Sequence, residues 1–163
     1  MYEVTLLIER QLNELDVDQI ISLHEELDDE VTYHLLLPVE SSAAVLASSL
    51  GALGGGEVMQ VEDPDTIARM QKEIVTSGQS ELDASAELLR ARGQKVTTVL
   101  SDDDPVAALQ ALVAETSTVE VIVLTEPHVI QEFFHIDWTS RARRKLDVPT
   151  LHLLEHVPFD AQT

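Results

Sequence analysis

The segment TEPHVIQEFFHIDWTS holds His128 and His135 close to Glu126, Glu132 and Asp137. Imidazole and carboxylate together make a ligand set for zinc or a similar metal. Their spacing matches no HExxH-type signature, so they read as polar groups on a surface loop and no metal site is assigned. Just beyond, Thr139-Ser140 precede Arg141, Arg143, Arg144 and Lys145, which places four of the ten basic residues in five positions. Hydroxyls at a helix start followed by cations would suit an anion. The plainer reading is that cations in the later turns of a helix complement its dipole, at ~0.3–1 kcal/mol each. Gly54-Gly55-Gly56 has the composition of a phosphate loop. It runs from helix into strand, however, and no Lys-Ser/Thr follows it, so it reads as a helix stop. Ser41-Ser42 follow a strand with neither a glycine elbow nor a nearby histidine, and read as a helix cap. His34 lies in an apolar run and is expected to be buried and hydrogen-bonded. His152 and His156 are spaced to share one face of the last strand, as a pH-sensitive contact would require, or as a solvated or interface edge would equally allow. No set of residues makes a complete catalytic apparatus, which points away from an enzyme. An enzyme of another class on this scaffold stays open, and would need an acid–base or nucleophile pair that spacing alone does not reveal.

The elements that must position these groups alternate between apolar β-branched runs and helical stripes, with Gly, Asp and Pro at the joins. That alternation predicts βαβ units and a parallel sheet. Tyr2–Glu9 reads as a strand and Asp16–Leu27 as a helix, whose acidic end at Asp28-Asp29-Glu30 should fray or turn early. Val31–Pro38 (VTYHLLLP) is almost wholly apolar and is expected at the sheet centre. A helix through Leu53 and a strand over Glu57–Val61 follow. Asp63-Pro64 starts a helix to about Val75, with a break predicted at Thr76-Ser77-Gly78 before a second helix over Glu81–Arg92, capped by Gly93. Lys95–Leu100, Val119–Thr125 and Pro149–Leu154 read as further strands. Asp104-Pro105 starts the helix carrying Ala108, Leu109, Leu112 and Val113. Trp138, Ala142 and Leu146 share one helical face.

The balance of 30 acids against 10 bases repels phosphate backbones and anionic lipid, so neither nucleic acid nor membrane is an expected partner. At 163 residues the chain suits one domain. The absence of cysteine removes disulfides and thiolate metal sites, which fits a cytoplasmic location. The opening MYEVTLLIERQ lacks the parts of a signal peptide. Runs such as VIVLT are far shorter than the ~20 residues of a membrane span.

From Val31 onward the strands VTYHLLLP, EVMQV, KVTTVL, VEVIVLT and PTLHLL alternate with helices. Pro38 closes the first of them, Asp103-Asp104-Pro105-Val106-Ala107-Ala108-Leu109 forms a Gly-Asp-Pro-like helix start, and WTSRARRKLDVPTLHL runs from a helix into a Pro-Val-like strand. In these features the chain resembles the universal stress protein family. The resemblance implies a three-layer α/β/α fold around a mostly parallel five-stranded sheet. Residues 31–156 would form the core, residues 1–30 an added strand–helix unit and 157–163 a tail. It also implies a homodimer, since relatives often pair their last strands across a two-fold axis.

Nucleotide-binding relatives carry G-x2-G-x9-G-[ST] after the fourth strand, because backbone N–H groups must approach phosphate oxygens closely. In this chain Thr125, His128 and about Ile136 occupy the glycine places, and Glu126, Glu132 and Asp137 add negative charge. Glu40 stands in for the family's adenosine-side Asp, one methylene longer. The vestigial nucleotide region is therefore Pro38, Glu40, Thr125, His128, Asp137, Thr139 and Ser140. The expectation is a stress-response or regulatory protein that has lost ATP and holds no cofactor, acting through protein contacts or another ligand. The alternative is an ATP-binding member with an atypical phosphate loop.

Overall fold

The computed structural model describes residues 1–39, 64–125 and 145–162. Within them lie β1 (Tyr2–Ile8), α1 (Glu14–Ser22), β2 (Val31–Pro38), α2 (Pro64–Ala91), β3 (Lys95–Ser101), α3 (Pro105–Thr116), β4 (Glu120–Thr125), β5 (Thr150–Leu154) and a short 3-10 turn at Phe159–Ala161. Every strand pairing is parallel, and the five strands run in the order β3-β2-β1-β4-β5. The expected α/β class and five-stranded parallel sheet are observed. The expected strand over Glu57–Val61 and the helix through Leu53 lie outside the described residues.

The position of β1 corrects the sequence reading, in which residues 1–30 are an addition to a core beginning at Val31. β1 is the central strand: Val4 pairs with Tyr33 on one side and with Glu120 on the other. The physical reason is in its composition. Val4, Leu6 and Ile8 are fully buried on one face, and Thr5 and Leu7 are buried on the other. A strand covered on both faces carries such a continuous run. VTYHLLLP has the same character and takes the next place out, between β1 and β3.

The two faces have separate cores. Val17 and Ile20 of α1 and Leu82 and Leu89 of α2 pack on Val4, Leu6, Ile8, Tyr33, Leu35 and Leu37. Leu109, Leu112 and Val113 of α3, with Leu146, pack on Leu7, Leu36, Val121 and Val123. The sheet is thus sandwiched between helices, and each fully buried Leu or Ile contributes ~1.5–3 kcal/mol relative to exposure.

Local chemistry sets the helix ends. Asn13 caps α1 by accepting from Asp16 N–H at 2.9 Å, and Asp16 reaches back to Asn13 N–H at 3.0 Å, a reciprocal capping box. α1 stops at Ser22, before the acids that would oppose its dipole, as expected. Asp104 caps α3 through Val106 and Ala107 N–H, both at 3.1 Å, with Pro105 in the first turn. Gly93 ends α2 at φ 79°, where a side chain would be strained.

The predicted break at Thr76-Ser77-Gly78 does not occur, and α2 runs unbroken for 28 residues. Gly78 serves packing instead. A Cβ there would stand 2.7 Å from Val39 Cγ1 and 3.1 Å from Leu100 Cδ1. The missing side chain lets the helix lie close over the ends of β2 and β3, which outweighs the ~1 kcal/mol helix-propensity cost of glycine.

Two polar networks are built into the strands. His34 is the hydrogen-bonded buried histidine expected: Nδ1 is 2.6 Å from Thr97 Oγ1 and Nε2 is 2.7 Å from a Glu3 carboxylate oxygen. Toward the amino ends of the strands, His24 Nε2 lies 3.2 Å from Glu120 and Nδ1 lies 3.0 Å from the Tyr33 hydroxyl, while the Tyr2 hydroxyl donates to Glu120 at 3.0 Å. These hydrogen bonds hold the Glu120 carboxyl below its ordinary range, and burial keeps the Tyr33 phenol protonated far into alkaline solution.

Candidate functional site

In an open parallel sheet, ligands bind beyond the carboxyl ends of the strands where the strand order reverses. Here that point lies between β1 and β4, because β2 and β3 extend to one side of β1 and β4 and β5 to the other. The chain leaves β1 as Glu9-Arg10, β2 as Val39, β4 after Thr125 and β5 as Glu155-His156. Among the described residues, those meeting there include Glu9, Arg10 and Glu155, which the sequence reading did not select.

Glu155 reaches from the end of β5 across β4 to the end of β1. Its carboxylate accepts from Arg10 Nε at 2.7 Å and from Glu9 N–H at 3.3 Å, and its own N–H donates to Thr125 O at 2.9 Å. The side chain is wholly buried while that of Arg10 is 38% exposed. Burial pushes the Glu155 carboxyl up to about 7, against the stabilising hydrogen bond from Arg10.

A second acid anchors the turn that follows. Asp16, also fully buried, accepts from His156 N–H at 2.6 Å, and His156 Nε2 lies 3.2 Å from its other carboxylate oxygen. His156 adopts φ 59°, the left-handed conformation needed to turn both groups toward α1. Gln19 donates to Val157 O at 3.1 Å. The first turn of α1 and the end of β5 are thus clamped together beside the Arg10–Glu155 pair.

Next to the pair, between the ends of β1 and β2 and the middle of α2, lies a cleft of about 210 Å³. Leu37, Val39 and Ile74 give it apolar walls, and Glu9 and Glu81 give it two carboxylates. Glu81 accepts from Gln11 N–H at 3.2 Å and from the Ser77 hydroxyl at 3.4 Å. A wider groove of about 550 Å³ continues along α2 past Ser77 toward Lys72 and Arg69.

Of the residues selected from sequence, Pro38 lines the cleft. Thr125 closes β4 and is 6% exposed, with its hydroxyl 2.7 Å from His152 Nε2. Glu40, His128, Asp137, Thr139 and Ser140 lie outside the described residues, as do His135, Ser41-Ser42 and Gly54-Gly55-Gly56. His152 and His156 have different partners among the described residues: one meets Thr125 on β4 and the other meets Asp16 on α1. Sequence reasoning missed Glu9, Arg10, Asp16 and Glu155. The available signal was position, since Glu9-Arg10 and Glu155 directly follow apolar strands, but it required knowing that β1 is central. Among the described residues no His, Asp and Glu groups are arranged to hold a metal ion, and no helix is long and apolar enough to cross a membrane.

No protein-family profile and no curated protein matches this sequence. Solved structures do match. The hypothetical protein MJ0577 has a TM-score of 0.64 at 11% identity, over 95% of this chain and 97% of that one. A universal stress protein from Archaeoglobus fulgidus has a TM-score of 0.53 at 11% identity, covering 93% of both chains. A universal stress protein family protein from Arabidopsis thaliana, solved with AMP bound, has a TM-score of 0.52 at 10% identity, covering 99% of this chain and 98% of that one. At such identities the likeness establishes the fold. This chain has a universal-stress-protein-like fold.

Proposed function

We propose that this chain is a universal-stress-protein-like regulatory protein of the stress response whose crevice no longer holds ATP. It acts without catalysis, in the cytoplasm, through protein contacts or a different small ligand. The observation that carries this reading is the bridge from Glu155 to Arg10 and Glu9 N–H. A phosphate at the switch point needs cationic and N–H donors free to meet it. Here one guanidinium donor and one backbone donor already serve the Glu155 carboxyl instead. The sequence beyond β4 supports the same conclusion. It has no glycine between Thr125 and Ser140, and Glu126, Glu132 and Asp137 add three negative charges to that segment.

A second reading, an ATP-binding protein with an atypical phosphate loop, is favoured by the cleft. Its apolar walls at Leu37, Val39 and Ile74 beside the Glu9 carboxylate would suit a nucleoside. Titration with ATP and magnesium, and with AMP, distinguishes the two by calorimetry and thermal shift. Ligand binding raises the melting temperature progressively once concentration exceeds the dissociation constant. The proposal expects no shift at millimolar nucleotide, and a saturable shift rejects it. The partner contact we propose is a homodimer through β5, an outer strand of the sheet. Sedimentation of the full chain across a concentration series tests it, and a strict monomer at every concentration would reject the dimer.

A further inference from the structure

Thr97 stands on the outer strand β3 and is exposed, yet its hydroxyl is tied to a buried relay. Thr97 pairs with His34 on β2, and His34 pairs in turn with Thr5 on β1. Side chains two residues apart share a face of a sheet, so Glu3 lies on the face of Thr5 and reaches His34 from the neighbouring strand. The result is a line of groups across adjacent strands. Thr97 Oγ1 is 2.6 Å from His34 Nδ1, and His34 Nε2 is 2.7 Å from a Glu3 carboxylate oxygen. The His34 side chain is 8% exposed and that of Glu3 is 18% exposed. A carboxylate only accepts, so Nε2 carries the ring proton. In the neutral ring Nδ1 is then an acceptor, and the Thr97 hydroxyl must donate to it. Tyr33 and Thr125 also meet histidines, but they are 1% and 6% exposed and closed to a reagent in solvent.

We propose that Thr97 is an acyl-acceptor site, its hydroxyl activated by His34 as general base while Glu3 fixes the tautomer of the ring. A hydroxyl is a weak nucleophile until an adjacent base takes its proton, and a further group that orients the base completes the arrangement. The substrate class is an activated acyl ester. Thr97 Oγ1 forms a bond to the ester carbonyl carbon, the bond from that carbon to the leaving oxygen breaks, and the hydroxyl proton passes through Nδ1 to the leaving group. The donor needs a good leaving group, because these side chains supply a base but no N–H aimed at the developing oxyanion. The product is a threonyl ester on the chain itself, a stoichiometric modification rather than turnover.

The probe is p-nitrophenyl acetate. The full chain, Thr97→Ser, Thr97→Val, His34→Asn and Glu3→Gln are each incubated with it, and peptide mapping by mass spectrometry follows acetylation at this position over time. Circular dichroism and melting verify that each variant is folded, and the chain unfolded in urea gives the rate of an unassisted hydroxyl. The native chain and Thr97→Ser are expected to be acetylated there about 100-fold faster than the unfolded chain, the lower range of general-base catalysis. Thr97→Val should carry no acetyl group at that position, and His34→Asn should lose the rate gain. Glu3→Gln can donate an amide N–H to Nε2, which moves the ring proton to Nδ1, and should lose the gain as well. Acetylation of Thr97 no faster in the native than in the unfolded chain overturns the proposal. A native rate in folded His34→Asn or Glu3→Gln also overturns it.

Discussion

Arg10 Nε and Glu155 Oε2 meet at 2.7 Å over the carboxyl end of β4, joining the central strand of the sheet to an outer one. The pair is asymmetric. Arg10 keeps access to solvent, whereas the Glu155 side chain has none. A buried carboxylate facing one half-exposed cation is incompletely compensated, which is why its affinity for a proton rises.

The sign of the resulting pH dependence follows from the folded value of about 7 against an ordinary value of 4.5. Between those values the native carboxyl holds a proton that the unfolded chain has released, so Glu155 makes the protein less stable as pH rises through this window. Its full effect is on the order of 3 kcal/mol, because each tenfold rise in proton affinity is worth ~1.4 kcal/mol. Glu155→Gln is expected to remove this component. Urea denaturation of both proteins from pH 5 to pH 8 should show the stability difference moving in favour of the variant as pH rises. A constant difference would refute the assignment.

Asp16 holds two structures at once, the first turn of α1 and the turn after β5. Asp16→Ala removes half of the capping box and leaves His156 N–H without its acceptor. A lost cap costs about 1 kcal/mol and a lost hydrogen bond to a charged group about 1.5–3, so the expected destabilisation is about 2–4 kcal/mol. Asp16→Asn keeps an acceptor oxygen but cannot serve both N–H groups equally, and should fall between. Denaturation midpoints at constant slope would check the ordering.

Ser117 ends α3 in the left-handed conformation at φ 54°, with its side chain in solvent. Glycine adopts that conformation without strain. Ser117→Gly is therefore expected to stabilise the protein by ~0.5–1 kcal/mol, read as a rise in melting temperature. A fall would mean that the hydroxyl makes a contact worth more than the strain.

Local chemistry was the legible part of the fold. Asp104-Pro105 and Gly93 mark helix ends from sequence because a cap or a positive φ depends on one or two residues. The rank of β1 was not legible. Val4–Ile8 and Leu35–Leu37 are equally apolar, and which is central depends on strand order, a property of the whole chain. The site inherited that uncertainty. With Val31 as the start of the core, the sequence points to Pro38, Glu40 and the segment from Thr125 to Ser140 as the crevice, and Glu9 and Arg10 fall outside it. Glu155 was hidden for a related reason, since a lone acid after an apolar strand reads as solvated until the strand beside it is known.

Gly78 offers the sharpest test of how α2 is seated. Alanine there gains ~1 kcal/mol in helix propensity. Its Cβ, however, would come within 2.7 Å of Val39 Cγ1, a short branched side chain with little freedom to move away, and 3.1 Å of Leu100 Cδ1. Overpacking of this kind costs typically 1–3 kcal/mol, so Gly78→Ala should be net destabilising by about 1 kcal/mol and Gly78→Val by more. If the clash with Val39 is the cause, Val39→Ala should recover the loss in the double variant. The two substitutions would then be less harmful together than their sum, with a coupling of about 1 kcal/mol in a double-mutant cycle. Strict additivity would mean that α2 moves away from β2 as a body. In that case the cleft walled by Val39 and Ile74 would widen rather than close.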